Sequence, residues 1–367
     1  MAESKVEYSN LLSRILLKSI QEQQFMAPAP PPARQENLMV WYERNILRVD
    51  VSSIAVDRPI FLLGMYRSGT TVLQDILCSH PQTAYITNTM HKFRRGFCGV
   101  EALRQRFNLN FRMERYLQDS VQVEASSPNE GYLFWQEWLK EDAYSLDYQP
   151  RSWADFSPAD IEHINTMIAR VIWCFDHQGQ DKRFFSKNPA LLPYTPLLSQ
   201  LFPTAKFIHI VRDPRMCCNS MLKFYQLSQT QLANIKKLQG CSLYDEHPFI
   251  PYPRFPRLKE YIENYGPEDI RTTAHLWNDG VDLIEASKNK IANFYEVRYE
   301  DILAHPQEKI NQILDFCELT PMGSQNHKFQ QQLRQVGQVP HTSNNKYDNF
   351  EVVESICQAN MALKGYG

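Results

Sequence analysis

Arg58–Pro81, RPIFLLGMYRSGTTVLQDILCSHP, is the stretch whose reading decides the fold. Ile60–Leu63 is a short apolar run bounded by Gly64, the pattern of a buried strand. Ser68, Gly69, Thr70 and Thr71 supply small residues and hydroxyls where a helix begins. Val72, Ile76 and Leu77 then recur at helical spacing until His80 and Pro81 stop the helix. A strand, a glycine-bearing loop and a helix N-terminus together form an anion cradle. Unpaired amides and the helix dipole both favour negative charge in the loop. Arg67 adds a planar charge suited to phosphate or sulfate. The expected ligand is a phosphate-like anion, and the alternative is a plain glycine turn.

A Walker loop requires a lysine before its last hydroxyl residue. Gly64-Met65-Tyr66-Arg67-Ser68-Gly69-Thr70-Thr71 contains none. The order resembles instead the phosphosulfate loop, G-x-x-R-S-G-T-T, of sulfotransferases that use 3′-phosphoadenosine 5′-phosphosulfate (PAPS). That resemblance implies that Tyr66, Arg67, Ser68, Gly69, Thr70 and Thr71 contact the cofactor.

A second block strengthens the resemblance. Arg183–Lys187 reads as a strand ending in lysine, Pro189 sets the entry to a helix over Leu191–Phe202, and Ala205–Val211 reads as a buried parallel strand. Arg212-Asp213-Pro214-Arg215 follows, then a helix from about Met216 containing Ser220. An arginine at a strand's carboxyl end and a serine on the next helix can converge on one phosphate. In the family this pair holds the 3′-phosphate, which implies that role for Arg212 and Ser220. Lys187 matches the lysine facing the leaving group or the sulfonate. Arg298-Tyr299-Glu300-Asp301-Ile302 resembles the family's V-x-Y-E-D-L segment and reads as structural. A basic loop late in relatives closes over the 3′-phosphate or adenine, which implies that role for His341 and Lys346. The resemblance runs from about Pro59 to the last residues.

The general base stays open between two residues. His91 lies in the segment that passes the acceptor pocket in relatives and titrates near neutrality. Glu130 opens an aromatic helix, Tyr132–Leu139, after Ser127-Pro128-Asn129. Either can take a hydroxyl proton, a contribution on the order of 10²–10⁴-fold. The Lys92–Arg95 cluster reads as a solvated helix face, with an anionic acceptor as the alternative. Trp135, Trp138 and Trp153 read as core or pocket wall.

Composition bounds the remaining possibilities. The 367 residues carry a net charge of −2, with 43% hydrophobic and 22% charged residues. This fits a soluble protein and argues against a general nucleic-acid or membrane-surface binder. Eight scattered cysteines without a C-x-x-C pair read as reduced core thiols, so neither zinc nor any other metal is expected. No signal sequence is visible, no run approaches ~18 apolar residues, and the expected compartment is cytoplasmic.

Strands alternating with helical stretches predict an α/β fold, a P-loop-like three-layer sandwich whose central, mainly parallel sheet is flanked by helices. Residues 1–57 read as a helical N-terminal region, with stripes over Tyr8–Phe25 and Leu38–Leu47 separated by a proline-rich break, Ala27–Ala33. Residues 58–367 read as one sulfotransferase α/β domain. The aromatic and proline-rich part, about 222–267, reads as an acceptor-pocket wall or lid, or as a homodimer contact. The implied reaction moves the sulfuryl group of PAPS, a co-substrate, to a hydroxyl or amine of a small molecule, lipid or sugar by in-line displacement. Two alternatives are a P-loop phosphotransferase, which needs a metal and a loop lysine, and a silent relative that binds adenosine phosphates.

Overall fold

The computed structural model describes residues 6–22, 33–114, 122–141, 145–239, 249–323, 326–337, 345 and 347–367. Its centre is a five-stranded parallel sheet: β1 (Ile60–Leu63), β2 (Thr83–Ala84), β3 (Arg183–Lys187), β4 (Lys206–Val211) and β5 (Phe294–Arg298). The spatial order is β2-β3-β1-β4-β5. Phe61 pairs in register with Ser186 on one side and Phe207 on the other. Chain order therefore reverses direction at β1, and the crevice beyond its carboxyl end is where ligands bind in open parallel sheets.

The sheet is buried on both faces because the strands carry apolar groups at both phases of the pleat. Phe61, Leu63, Phe184, Phe207 and Val211 enter one core. That core is filled by α3 (Tyr132–Trp138), α4 (Pro158–Phe175), α6 (Ile270–Ser287) and α7 (Phe350–Leu363). Ile60, Leu62, Phe185, Ile208 and Ile210 face the other core, beneath α1 (Thr70–Cys78) and the helices Pro306–Phe316 and His327–Gly337. The expected parallel sandwich is the observed one.

Local chemistry places the element ends. Pro158 opens α4 behind a reciprocal cap, in which Ser157 Oγ accepts from Asp160 N and Ser157 N donates to the Asp160 carboxylate. The expected helix Leu191–Phe202 is instead a 3₁₀ segment, Pro189–Tyr194, followed by a helix Thr195–Leu201. Pro193 lacks the amide that a continuous α-helix would need there. The helix expected from Met216 starts at Pro214 and runs to Gln239 as α5.

The N-terminal stripe differs from expectation. A short strand, Glu7–Tyr8, precedes the helix Leu11–Glu22, and Leu11, Leu12, Ile15 and Leu16 of that stripe face solvent. Within Leu11–Leu17, Ser13 and Leu17 are the buried positions. Bonds among Ser9, Asn10, Ser13 and Asn110 set the helix rotation: Ser13 N donates to Asn10 Oδ1 at 2.7 Å and Asn110 N to Ser13 Oγ at 3.1 Å. Glu7–Tyr8 joins Phe111–Glu114 and Gln122–Glu124 in a small antiparallel sheet. Further along, Glu43 is ion-paired with Arg170 of α4 and accepts from Gly99 N at 2.9 Å.

Seven cysteines are buried and free, and Cys241 lies outside the described residues. Trp135 and Trp138 are core, whereas Trp153, 47% exposed, lines an open surface pocket with Ile54, Pro158 and Ile161. Residues 240–248 of the 222–267 stretch lie outside the described residues; Ile250, Tyr252 and Phe255 beyond them are buried in the main core.

Candidate active site

Three strand ends make the site. In the loop after β1, the Gly64 backbone passes so close to β4 that a Cβ there would lie 2.7 Å from Ile210 O. Ser68 closes the turn through its amide and its hydroxyl, both donating to Met65 O, at 3.2 and 2.7 Å. Arg67 has φ 70, left-handed and uncommon for a branched-free long side chain, so the loop backbone is over-determined by its surroundings. Gly69 has φ 96, and a Cβ there would sit 2.2 Å from the Tyr299 ring. Thr70 then starts α1, with Thr71 part-exposed. Gly69 offers no side-chain cap, so the first-turn amides of α1 face the loop.

The second loop meets the first directly. Arg67 Nε donates to Ser220 Oγ at 3.0 Å, and Arg212 Nη1 donates to Arg67 O at 2.9 Å. Cys217 Sγ reaches Tyr66 O at 3.2 Å, and the Tyr66 ring stacks on Phe224, 5.9 Å between centroids. Trp277 Nε1 donates to Arg212 O at 3.0 Å, fixing the end of β4 against α6. The Arg212 guanidinium lies 4.7 Å over the Tyr299 ring. Burial pushes the Cys217 thiol up to about 12, against the opposing pull of Arg212 and Arg67. The RDPR turn is also an ion-pair turn: Arg215 binds Asp213 at 2.7 Å and Glu354 at 3.0 Å.

Lys187 supplies the third corner. It pairs in register with Leu62, one residue before the end of β1, and shares the face of Phe185, on which α1 packs. Its side chain is 4% exposed and forms an ion pair with Glu130, whose side chain keeps 37% exposure. Glu130 is brought there by backbone pairing: Thr87 bridges Pro128, and Asn129 N donates to Ile86 O at 2.8 Å. Trp135 of α3 anchors the same segment through Nε1 to Ser186 Oγ at 3.0 Å. Beside Lys187, Asn188 caps the next turn through Oδ1, and its Nδ2 is buried without a partner among the described residues.

His91 lies on α2 (Asn88–Lys92), its ring 6.4 Å from that of Phe134. Its Nδ1 is buried without a partner among the described residues. Burial, helped by Arg94, lowers its pKa to about 4, so the imidazole is neutral at pH 7. The expected solvated helix face over 92–95 is not found: the helix ends at Lys92, which is buried at 8% exposure with its pKa lowered by that burial, and Arg94, paired with Glu137 at 3.3 Å, and the exposed Arg95 lie in the turn beyond it. His341 and Lys346 lie outside the described residues. Tyr299 was legible as structural, but not as the ring that touches both loops. Its signal is the YED segment at the end of a strand neighbouring β4.

A five-stranded parallel sheet of this order, flanked by helices and with a glycine-bearing loop after its central strand, is a P-loop-like α/β fold. The chain belongs to the sulfotransferase family, whose family model matches residues 59–244 and 253–322. It is 23% identical over 297 residues to the omega-hydroxy-beta-dihydromenaquinone-9 sulfotransferase Stf3 of Mycobacterium bovis, covering 75% of this chain and 66% of that protein. It is 21% identical over 266 residues to protein-tyrosine sulfotransferase A of Caenorhabditis elegans, covering 71% of this chain and 50% of that one. The chain thus spans about two thirds and half of their lengths. The crystal structure of sulfotransferase STF9 from Mycobacterium avium shares the fold, with TM-score 0.55 and 15% identity over 97% of this chain and 92% of that one. Among the described residues, no helix is long and apolar enough to cross a membrane.

Proposed function

We propose that the chain is an enzyme that transfers the sulfuryl group of PAPS to an acceptor hydroxyl. The observation that carries this reading is the joining of two distant loops, Arg67 to Ser220 and Arg212 to the Arg67 carbonyl. An uncapped helix N-terminus on one loop and an arginine–serine pair on the other fit a ligand with two separate anionic groups. PAPS supplies, when bound, a sulfuryl group activated by a phosphate leaving group.

The chain's own groups divide the work. The α1 first-turn amides, Arg67, Thr70 and Thr71 hold the 5′-phosphosulfate, with Tyr66, Ser68 and Gly69 shaping the loop. Arg212 and Ser220 hold the 3′-phosphate. Lys187 stabilises negative charge as it builds on the bridging oxygen, a use of charge that favours the transition state over the ground state. The acceptor oxygen forms its bond to sulfur as the sulfur–bridging-oxygen bond breaks, and the acceptor proton passes to a base. Glu130 is the base we assign, because it stands on Lys187 and keeps access to solvent. His91 is second, since its Nδ1 is buried without a partner among the described residues and its ring lies 6.4 Å from that of Phe134 rather than on Lys187. The names of the two relatives both specify hydroxyl-bearing acceptors, an omega-hydroxy quinone and tyrosine.

Calorimetric titration with 3′,5′-adenosine bisphosphate, against AMP and Mg·ATP, tests this. Metal-independent binding that requires the 3′-phosphate is the expected result. A preference for Mg·ATP would replace this reading with phosphoryl transfer. Bisphosphate binding without sulfation of any phenol or alcohol would leave a silent binding protein.

A further inference from the structure

The residues after α7 are tied to the underside of the second loop. Tyr366 Oη donates to Glu300 Oε2 at 2.8 Å, and the other oxygen, Oε1, accepts from Asp213 N at 3.1 Å. Asp213 follows Arg212 directly. Arg215 returns the connection, donating from Nη2 to Tyr366 O at 3.3 Å and to Asp213 Oδ2 at 2.7 Å. Arg298 lies 4.4 Å over the Tyr366 ring. Lys364, 4% exposed at its side chain, anchors the segment by donating to Glu285 at 2.6 Å and to both Glu296 oxygens at 2.6 and 2.7 Å. Gly365 makes the turn between these anchors at φ 73, where a Cβ would lie 3.2 Å from Arg298 Nη1.

We infer that Tyr366 is a positioning residue for the anion held at Arg212. Its hydroxyl holds the Glu300 carboxylate in the one orientation that also receives the Asp213 amide, and so fixes where the β4 end delivers the guanidinium. The inference rests on the reading of Arg212 as the 3′-phosphate ligand. Burial, and then the neighbouring Glu300 charge, pushes the Tyr366 phenol up, so it remains a donor at neutral pH. An ordinary packing role for Tyr366 would affect stability and all ligands alike. A positioning role acts on one end of the ligand.

Tyr366→Phe keeps the ring under Arg298 and removes the hydroxyl, with its bond to Glu300 and its contact with Arg298. The wild type, Tyr366→Phe, Glu300→Gln and the double variant are titrated with 3′,5′-adenosine bisphosphate and with AMP. The bisphosphate Kd is expected to rise about tenfold in Tyr366→Phe, with AMP affinity held within about twofold, since a hydrogen bond to a charged group is lost at one end. The double variant is expected to be no weaker than the worse single, as for residues in one chain of bonds. The KM for PAPS rises in step while kcat is kept. Equal weakening of both ligands, or an unchanged bisphosphate Kd, overturns the inference. A wild type that does not prefer the bisphosphate to AMP overturns the functional reading, and the inference falls with it.

Discussion

The two loops at the carboxyl end of the sheet, which we propose hold the two anionic ends of one ligand, are built by opposite means. The Gly64–Thr71 loop is made of backbone: two glycines at close approaches, a left-handed Arg67 and helix amides. The Arg212–Ser220 loop is made of side chains, with Asp213, Arg215, Glu300, Glu354 and Tyr366 bracing one another. A loop built on shape fails when an atom is added. A loop built on charge pairs loses strength in proportion to the partner removed. Tyr299 lies between them, with its ring against Gly69 and under Arg212.

The largest effect should therefore come from the smallest addition. In Gly69→Ala the new Cβ would fall 2.2 Å from the Tyr299 ring at φ 96. The combined strain is on the order of 3 kcal/mol, and relief requires either the loop or Tyr299 to move. Sulfation should fall below detection and the melting temperature should drop. Tyr299→Ala in the same background should return part of the stability without the activity. Near-normal turnover in Gly69→Ala would break the contrast between the loops.

Lys187 tests whether a third corner does chemistry rather than binding. Lys187→Met should lower kcat by about 10²–10³-fold while bisphosphate affinity is kept, as for loss of a group that acts on developing charge. The fold should survive, because Glu130 retains 37% side-chain exposure and can be hydrated once its partner is gone. Glu130→Gln should lower kcat by about 10²-fold, the lower end for a lost general base. If His91→Ala shows that loss and Glu130→Gln does not, the base assignment reverses. Arg212→Ala should follow in size: about tenfold or more weaker bisphosphate binding, with AMP little changed.

Legibility in the sequence followed the same division. β1 could be placed to the residue and β4 to within one, because strands buried on both faces are continuous apolar runs, and β3 to the residue from its lysine ahead of Pro189. α4, Pro158–Phe175, is legible from Ile161, Ile164, Ile168 and Ile172 near a period of 3.6, and the reciprocal cap of Ser157 and Asp160 fixes its start. The loop built on backbone was readable because glycine and small hydroxyl residues have few other uses at such spacing. What could not be read were partners supplied from elsewhere in the chain. Nothing in Ser127-Pro128-Asn129-Glu130 announces Lys187, since their pairing depends on backbone bonds to Ile86, Thr87 and Asn88, far off in sequence. The burial of Lys92 was hidden within a basic run, and the outward stripe on Leu11–Glu22 defeats periodicity because polar bonds at Ser9, Asn10 and Ser13 set its rotation. The α7 helix and the contacts of Tyr366 were missed for the same reason.

The smallest effect should come from the outermost brace. Glu354 is 44% exposed and binds Arg215, which is also held by Asp213 and by the Tyr366 carbonyl. An exposed pair contributes at most about 1 kcal/mol, so Glu354→Gln should change bisphosphate affinity by less than about threefold. Whatever change there is should shrink at high salt, where surface charges are screened. Asp213→Asn, by contrast, removes the partner that Arg215 grips through both Nε and Nη2. It should cost more than Glu354→Gln and respond less to salt. Titration of both variants at low and high ionic strength measures the difference. Equal losses would mean that the second loop is not braced in layers, and that Arg212 depends on the whole ion-pair chain as strictly as the first loop depends on Gly69.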